Sequence, residues 1–262
     1  MKADLFIKEV YRRMSLRSSA SKTKHYQTLK EFLDQEGVLL TEKLYRDILP
    51  DDKNAHILDI GFGSGWFIAA CIRLGYNNIY GADFFGKDKT KNIVNSCKSI
   101  REIYDIDKNI GQFLCENNKK FDFIHMSHVI EHIPKYSLLY ITDALYKSLS
   151  KNGTLLLRTP NMEGPAAHSS YFVTLAHEYG FSSRNIKSLL HISGFDEITF
   201  HSFNHIDNLK QLIGYIIRKP ILFYAKIKNR LFGVGDDTSY DSELIVTGRK
   251  KEFPELFSEK FK

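Results

Sequence analysis

A glycine-rich turn between an apolar run and a helix-forming run constrains this chain more than any other feature. A short apolar run that ends in Asp59 leads into Gly61, Gly63 and Gly65, one glycine at every second position. This spacing predicts a buried strand that turns sharply onto a helix, because glycine adopts the backbone angles that other residues avoid in a tight turn. The bare amides of the turn would then face an anionic or polar ligand group at the start of the helix.

The spacing of the three glycines separates one class of ligand from another. In the dinucleotide fingerprint G-x-G-x-x-G, the third glycine comes three residues after the second. Here the pattern is Asp-x-Gly-x-Gly-x-Gly, beginning at Asp59, and the Lys-Ser/Thr pair of a P-loop is missing. A second predicted strand, 78–83, ends in Asp83, eighteen residues after Gly65. A carboxylate at that place can accept hydrogen bonds from both hydroxyls of a ribose.

These two elements closely resemble motif I and the acidic strand end of class I S-adenosylmethionine-dependent methyltransferases. The resemblance implies that S-adenosylmethionine is the cofactor and that S-adenosylhomocysteine is its product. The implied ligands are Asp59, Gly61, Gly63, Gly65 and Asp83. The implied fold is α/β and Rossmann-like, a mainly parallel seven-stranded sheet with helices on both faces.

Contacts to the adenine are expected beyond the second and third strands. Phe84 could stack near the ring, although a core aromatic explains it equally well. The family places an acid and an apolar residue after its third strand to hold the adenine, and these are Asp105 and Ile106 here. Asp107 is expected either to share that role or to cap the next helix.

The segment after the fourth predicted strand carries the first candidate catalytic residues. It matches the family signature FD-I-----EH, so the resemblance extends to Asp122, Glu131 and His132. Ligands lie at the carboxyl ends of strands in open α/β sheets. We therefore expect His125, Met126 and Ser127 beside the methionine moiety, and the segment from His128 to His132 near the acceptor. A histidine can act as a base near neutral pH, and a nearby carboxylate can orient it. A hydrogen-bonded structural histidine is the alternative at each position.

A histidine in a later loop completes the candidate set. The run HEYGFS, which begins at His177, resembles the glycan and quinone O-methyltransferase branch, where a loop histidine occurs. The resemblance implies that His132 or His177 removes a proton from the acceptor. Glu131, His132 and His177 could instead hold a divalent metal, although ligand spacing across separate loops proves little without geometry. Arg158 could bind an acceptor phosphate or carboxylate, or pair with a structural acid.

The chain is expected to contain one methyltransferase domain with appended segments. The domain covers 51–250, preceded by an N-terminal helical flap, 1–50, and followed by a tail, 251–262. An insertion, 204–242, separates the last two predicted strands, 198–203 and 243–248, and is longer than a hairpin needs.

The insertion contains a basic amphipathic segment. Residues 208–230 hold six Lys or Arg and no acid, and an apolar helical stripe is formed by Leu209, Leu212, Ile213, Ile216 and Ile217. Pro220 is expected to break or restart the helix. Such a segment could lie on a membrane surface, mediate dimerisation or line the acceptor pocket. The most frequent arrangement of such a helix is to pack on its own domain with a basic outer face.

Composition indicates an ordinary protein of a reducing compartment. The three cysteines are widely spaced among 262 residues, so neither a disulfide framework nor a zinc site is expected, and the cytoplasm is the natural location. No apolar run approaches the roughly 20 residues that cross a bilayer, and no secretory signal is expected at the N-terminus. The net charge of +6 suits an acidic partner.

The residues and the resemblance together predict an enzyme that methylates a hydroxyl of a small molecule, such as a sugar or a phosphorylated precursor of a surface polysaccharide. A quinone-type O-methyltransferase is the alternative enzyme. A cofactor-retaining, non-catalytic subunit of a membrane-associated glycan assembly is the alternative of another class. Nucleic acid is not expected as a partner, because the chain has no recognisable RNA-binding module. Monomer and homodimer both stay open.

Overall fold

The computed structural model contains one seven-stranded sheet. It describes residues 9–10, 28–84, 97–106, 109–164, 167–202, 209–231 and 241–251. The strands are β1 (His56–Ile60), β2 (Asn78–Asp83), β3 (Ile100–Asp105), β4 (Phe121–Ser127), β5 (Leu149–Pro160), β6 (Phe195–His201) and β7 (Glu243–Lys250). Their spatial order is β3-β2-β1-β4-β5-β7-β6. Strands β1 to β5 are parallel, and β7 is antiparallel to both of its neighbours.

Helices connect the strands on both faces of the sheet. They are α1 (Leu29–Leu33), α2 (Glu36–Tyr45), α3 (Trp66–Arg73), α4 (Ile110–Glu116), α5 (Leu138–Ser148), α6 (Ala167–Tyr171), α7 (Ser183–Ile192) and α8 (Leu209–Leu231), with 3-10 turns at Ile130–His132 and Lys135–Ser137. The predicted mainly parallel seven-stranded fold is confirmed. The strand order reverses at β1 and β4, so the crevice for a ligand lies at their carboxyl ends.

Two apolar cores lie on opposite faces of the sheet, because successive side chains of a strand point to opposite faces. Leu58 of β1 enters one core together with Leu145 of α5. Its neighbour Ile57 enters the other core, with Ile68 of α3 and Phe32 of α1. The helices α1 to α3 therefore cover the face of β1 opposite to the one that α5 covers.

The predicted N-terminal flap contains two helices, α1 and α2, which are separated by Asp34 and Gln35. Gly37 lies inside α2, where an added Cβ would be 2.6 Å from Cε2 of Trp66. Glycine is needed there because the indole packs against the helix backbone. Helix α2 packs on α3, with the rings of Tyr45 and Phe67 5.5 Å apart. Among the predicted flap residues before position 28, the structure describes only 9–10.

Three local expectations are corrected. The cap of α4 is Asn109, whose Oδ1 accepts a hydrogen bond from the backbone N–H of Gln112 at 2.8 Å, and Asp107 lies outside the described residues. Helix α8 continues through Pro220 without a break. Ile213, Ile216 and Ile217 of the predicted stripe are exposed, so these side chains do not pack on the described part of the domain. Among the helices that the structure describes, none combines the length and apolar character that crossing a membrane requires.

Candidate cofactor and acceptor site

The glycine loop after β1 is held between two neighbouring segments. Gly61, Gly63 and Gly65 have φ values of 71°, 52° and 74°, in the left-handed region. A Cβ on Gly61 would lie 2.3 Å from Cγ2 of Val129, and one on Gly65 would lie 3.0 Å from Cζ of Phe32. A Cβ on Gly63 would meet nothing nearer than 4.0 Å. The outer glycines thus allow close packing, and the middle one faces the open crevice.

Replacing Gly61 by alanine should destabilise the fold strongly. The left-handed backbone costs an alanine about 1–2 kcal/mol, and overlap with Val129 adds about 1–3 kcal/mol, so we expect a loss of about 3 kcal/mol. Gly75→Ala is the matched control, because Gly75 also has a positive φ of 84° but open space around it. It should lose only the backbone contribution of about 1–2 kcal/mol. Urea unfolding measures both, and equal losses would contradict the packing role of Gly61.

Asp83 touches the glycine loop directly. Its Oδ2 accepts a hydrogen bond from the backbone N–H of Gly63 at 2.7 Å, and the residue is buried. A backbone hydrogen bond also joins the loop to β2, because the N–H of Gly61 donates to the carbonyl of Ala82 at 2.7 Å. The carboxylate therefore stands at the carboxyl end of β2 against the loop, where a ribose contact stays a prediction.

Asp59 is paired with a buried histidine. Its Oδ1 lies 2.7 Å from Nδ1 of His125, and both side chains are buried in the core. The His125 ring stacks on Phe67 at a centroid distance of 3.8 Å, and Tyr45 contacts its edge. Burial raises the pKa of Asp59, and the neighbouring imidazole offsets part of that rise. This carboxylate is a structural partner of His125, and its contact with the cofactor stays a prediction.

The remaining predicted cofactor residues lie around the same strand ends. Asp105 is exposed and sits opposite Asp83 in the register of β2 and β3. Ile106 is buried and donates its backbone N–H to the carbonyl of Asp83 at 3.0 Å. Phe84 is half-buried against the core, and the Met126 side chain is fully buried within it. Contacts of these four residues with the cofactor stay predictions.

His128 lies between two carboxylates. Its Nδ1 is 3.2 Å from Oε1 of Glu131, and its Nε2 is 3.0 Å from Oε1 of Glu243. These hydrogen bonds raise the pKa of His128 to about 9. A cationic imidazole is a poor proton acceptor at neutral pH, so the geometry favours a positioning role over that of a base. Glu243 also accepts a hydrogen bond from Nε of Arg158 at 2.7 Å, which gives the arginine a structural acid as its partner.

Glu131 ties the segment after β4 to the loop that carries His177. Its Oε2 accepts a hydrogen bond from the hydroxyl of Thr159 at 3.1 Å, and its side chain is only 2% exposed. Its backbone carbonyl accepts hydrogen bonds from the N–H groups of Glu178 and Tyr179, at 2.8 and 3.1 Å. Glu131 therefore orients the acceptor side of the site through both its side chain and its backbone.

His132 and His177 meet across these two segments. Their ring centroids are 4.8 Å apart. Nδ1 of His132 lies 2.9 Å from the carbonyl of Ala176, and Nδ1 of His177 lies 2.8 Å from the carbonyl of Tyr171. A carbonyl only accepts, so each Nδ1 carries a proton and donates it. Burial lowers the pKa of His132, which leaves that ring neutral at pH 7 with its lone pair on Nε2.

The structure thus brings together the four predicted catalytic residues. One potential ligand atom each from Glu131, His132 and His177 lies within 4.8 Å of the others. His128 joins the group through Glu131. Sequence reasoning missed Thr159, Glu243 and the two carbonyls that fix the histidine rings. Backbone carbonyls leave no signal in a sequence, and Glu243 is 85 positions away from Arg158.

Comparisons with known proteins identify a family. A family model described as "Methyltransferase domain" matches residues 34–212. No match is found among curated protein sequences.

Solved structures with the same fold include three methyltransferases of low sequence identity. A SAM-dependent methyltransferase from Archaeoglobus fulgidus is 17% identical, with a TM-score of 0.58, over 87% of this chain and 100% of that one. A phosphoethanolamine N-methyltransferase from Haemonchus contortus, in complex with S-adenosylhomocysteine, is 16% identical, with a TM-score of 0.55, over 82% of this chain and 53% of that one. A putative O-methyltransferase from Nostoc punctiforme is 16% identical, with a TM-score of 0.51, over 82% of this chain and 55% of that one.

The family match covers more than half of the 262 residues, and the strand order and glycine loop agree with it. The chain therefore belongs to the methyltransferase-domain family and is a class I S-adenosylmethionine-dependent methyltransferase.

Proposed function

We propose that this enzyme methylates a hydroxyl oxygen of a small molecule. The observation that carries the proposal is the pair His132 and His177, whose Nδ1–H groups are anchored on backbone carbonyls. An alcohol oxygen that attacks the sulfonium methyl must lose its proton during or after the attack. A neutral histidine with its lone pair on Nε2 is suited to accept that proton.

The proposed reaction is an in-line displacement at the methyl carbon. The carbon–sulfur bond breaks as the new carbon–oxygen bond forms, the electron pair stays on sulfur, and the hydroxyl proton passes to Nε2 of His132 or His177. The protein contributes chiefly alignment and the exclusion of water. His128 and Glu131 position the segment that carries His132.

The acceptor that we favour is a sugar or a phosphorylated precursor of a surface polysaccharide, and a quinol is the alternative. The net charge of +6 supports an anionic acceptor. The resemblance of the HEYGFS segment to the glycan and quinone O-methyltransferase branch supports a hydroxyl.

Incubation with S-adenosylmethionine carrying a labelled methyl group tests the reaction type. The panel contains sugar phosphates, nucleotide sugars, quinols and phosphoethanolamine, and NMR identifies the labelled product. We expect a methyl ether. A methylated amine as the preferred product would contradict the proposal. Cofactor binding without turnover on any compound would favour the non-catalytic subunit instead.

His132→Ala should slow methyl transfer by about 100-fold or more while cofactor affinity is retained, because a positioned base contributes roughly 10²–10⁴ to a rate. The turnover number with the best acceptor and the dissociation constant of S-adenosylmethionine are the two measurements. His191→Ala is the matched control, since His191 is exposed at the end of α7. A fully active His132 variant would remove this residue from the mechanism.

A divalent cation is the alternative role of the same side chains. Metal-ligating histidines usually donate their other ring N–H to a carbonyl or carboxylate, as both histidines do here. Dialysis against EDTA separates the two roles. Unchanged turnover would support the base, and turnover that is lost and then restored by one added cation would support a metal held by Glu131, His132 and His177.

A further inference from the structure

Helix α8 presents an apolar stripe to its surroundings. Ile213, Ile216, Ile217, Tyr224 and Leu231 recur at helical spacing on one face. Their side chains are exposed by 47%, 57%, 60%, 69% and 79%. Burying such a stripe is the usual source of stability for a helix of this kind, so a surface outside the described part of the domain is expected to cover it.

The charge of the same helix indicates what covers the stripe. Residues 209–231 contain six Lys or Arg and no Asp or Glu. A second copy of this helix would bring six further positive charges to the contact, which disfavours pairing of two copies. An apolar stripe with a basic complement is typical of a helix that lies in the interface of an anionic bilayer.

The two ends of the segment that carries α8 are fixed at the edge of the sheet where the candidate site lies. The hydroxyl of Ser202, just after β6, donates a hydrogen bond to Oδ2 of Asp241, just before β7, at 2.8 Å. The side-chain amide of Asn161, at the end of β5, donates to the carbonyl of Asp241 at 2.8 Å. The segment that contains α8 therefore begins and ends at the carboxyl edge of the parallel strands.

The loop that leads to His177 also carries exposed apolar side chains. Phe172, Val173 and Leu175 are 75%, 75% and 82% exposed, in the loop that leads to His177. These residues could enter the same apolar layer as the helix, close to the residues of the candidate acceptor site.

We propose that α8 lies flat on an anionic lipid surface and holds the carboxyl edge of the sheet against it. This binding does not depend on which atom the enzyme methylates. The apolar stripe would enter the boundary between headgroups and acyl chains, and the basic residues would contact the lipid phosphates and other anionic headgroups.

Vesicle flotation with the full chain tests the proposal. Vesicles of phosphatidylcholine with phosphatidylglycerol should bind the protein, and added NaCl should weaken the binding because salt screens the charges. The triple variant Ile213→Ser, Ile217→Ser and Tyr224→Ser should lower the partition coefficient by about tenfold or more. Ile192→Ser is the matched control, because Ile192 is 70% exposed at the end of α7, and its partition coefficient should stay unchanged.

Three results would overturn the proposal. The first is no binding of the wild-type chain to the anionic vesicles, and the second is equal binding by the triple variant. The third is a dimer in light scattering that the triple variant abolishes without any vesicle binding, which would assign the stripe to a second copy. Circular dichroism of the variant confirms its folding. Because no readout uses turnover, failure here is distinct from failure of the proposed O-methylation.

Discussion

Asp83→Ala should weaken the binding of S-adenosylmethionine by about 100-fold or more. The substitution removes the acceptor of the Gly63 N–H and the expected acceptor of the two ribose hydroxyls. Hydrogen bonds to a charged group each contribute about 1.5–3 kcal/mol, and two such losses correspond to about 100-fold or more in the dissociation constant. Isothermal titration calorimetry measures the effect on protein whose folding is checked by circular dichroism.

Two controls make this measurement specific to Asp83. Asp105→Ala removes the acid opposite Asp83 in the register of β2 and β3, but that side chain is exposed and has a smaller expected effect. Asp83→Asn keeps the shape and one acceptor oxygen, so it should fall between the wild type and alanine. An unchanged dissociation constant for Asp83→Ala would contradict the ribose assignment.

His125→Leu should destabilise the fold by about 3–5 kcal/mol, because removing one partner of a buried pair leaves an uncompensated buried group. The carboxylate of Asp59 is 2% exposed, and its Oδ2 already has no hydrogen-bond partner among the described residues. Urea unfolding gives the loss. His191→Leu is the control, since an exposed histidine at the end of a helix should change stability little.

The double variant Asp59→Leu and His125→Leu tests whether the two side chains act as a pair. Replacing both partners by apolar residues can be nearly neutral, so the double variant should be more stable than His125→Leu alone. Additive losses would contradict a coupled pair.

The single variant His125→Leu should also respond to pH in a defined direction. Burial raises the pKa of Asp59, and loss of the imidazole removes the group that opposes this rise. The folded state then retains a proton that the unfolded state releases near pH 4. Stability should therefore be highest below about pH 4 and fall as the pH rises toward the folded-state pKa of Asp59. A loss of stability on acidification over the same range would contradict this assignment.

The parallel sheet and the glycine loop could be predicted from the sequence because each depends on neighbouring residues. The apolar run that ends in Asp59 and the three glycines after it predict a strand, a tight turn and a helix from neighbouring residues alone. The expected acid at Asp83 also lies where a local pattern places it, at the end of β2. Such features require no knowledge of which distant segment packs on them.

Other parts of the site required the tertiary structure because they join residues that are far apart in the chain. Asp59 and His125 are 66 positions apart and meet because β1 and β4 are parallel neighbours in register. The anchor of His132 is the carbonyl of Ala176, 44 positions away, and it depends on how the later loop folds back over β4. The exposure of the stripe on α8 likewise followed only from the packing of the domain. Periodicity shows that a helix has an apolar face, whereas the surface that covers this face depends on the three-dimensional arrangement of the rest of the chain.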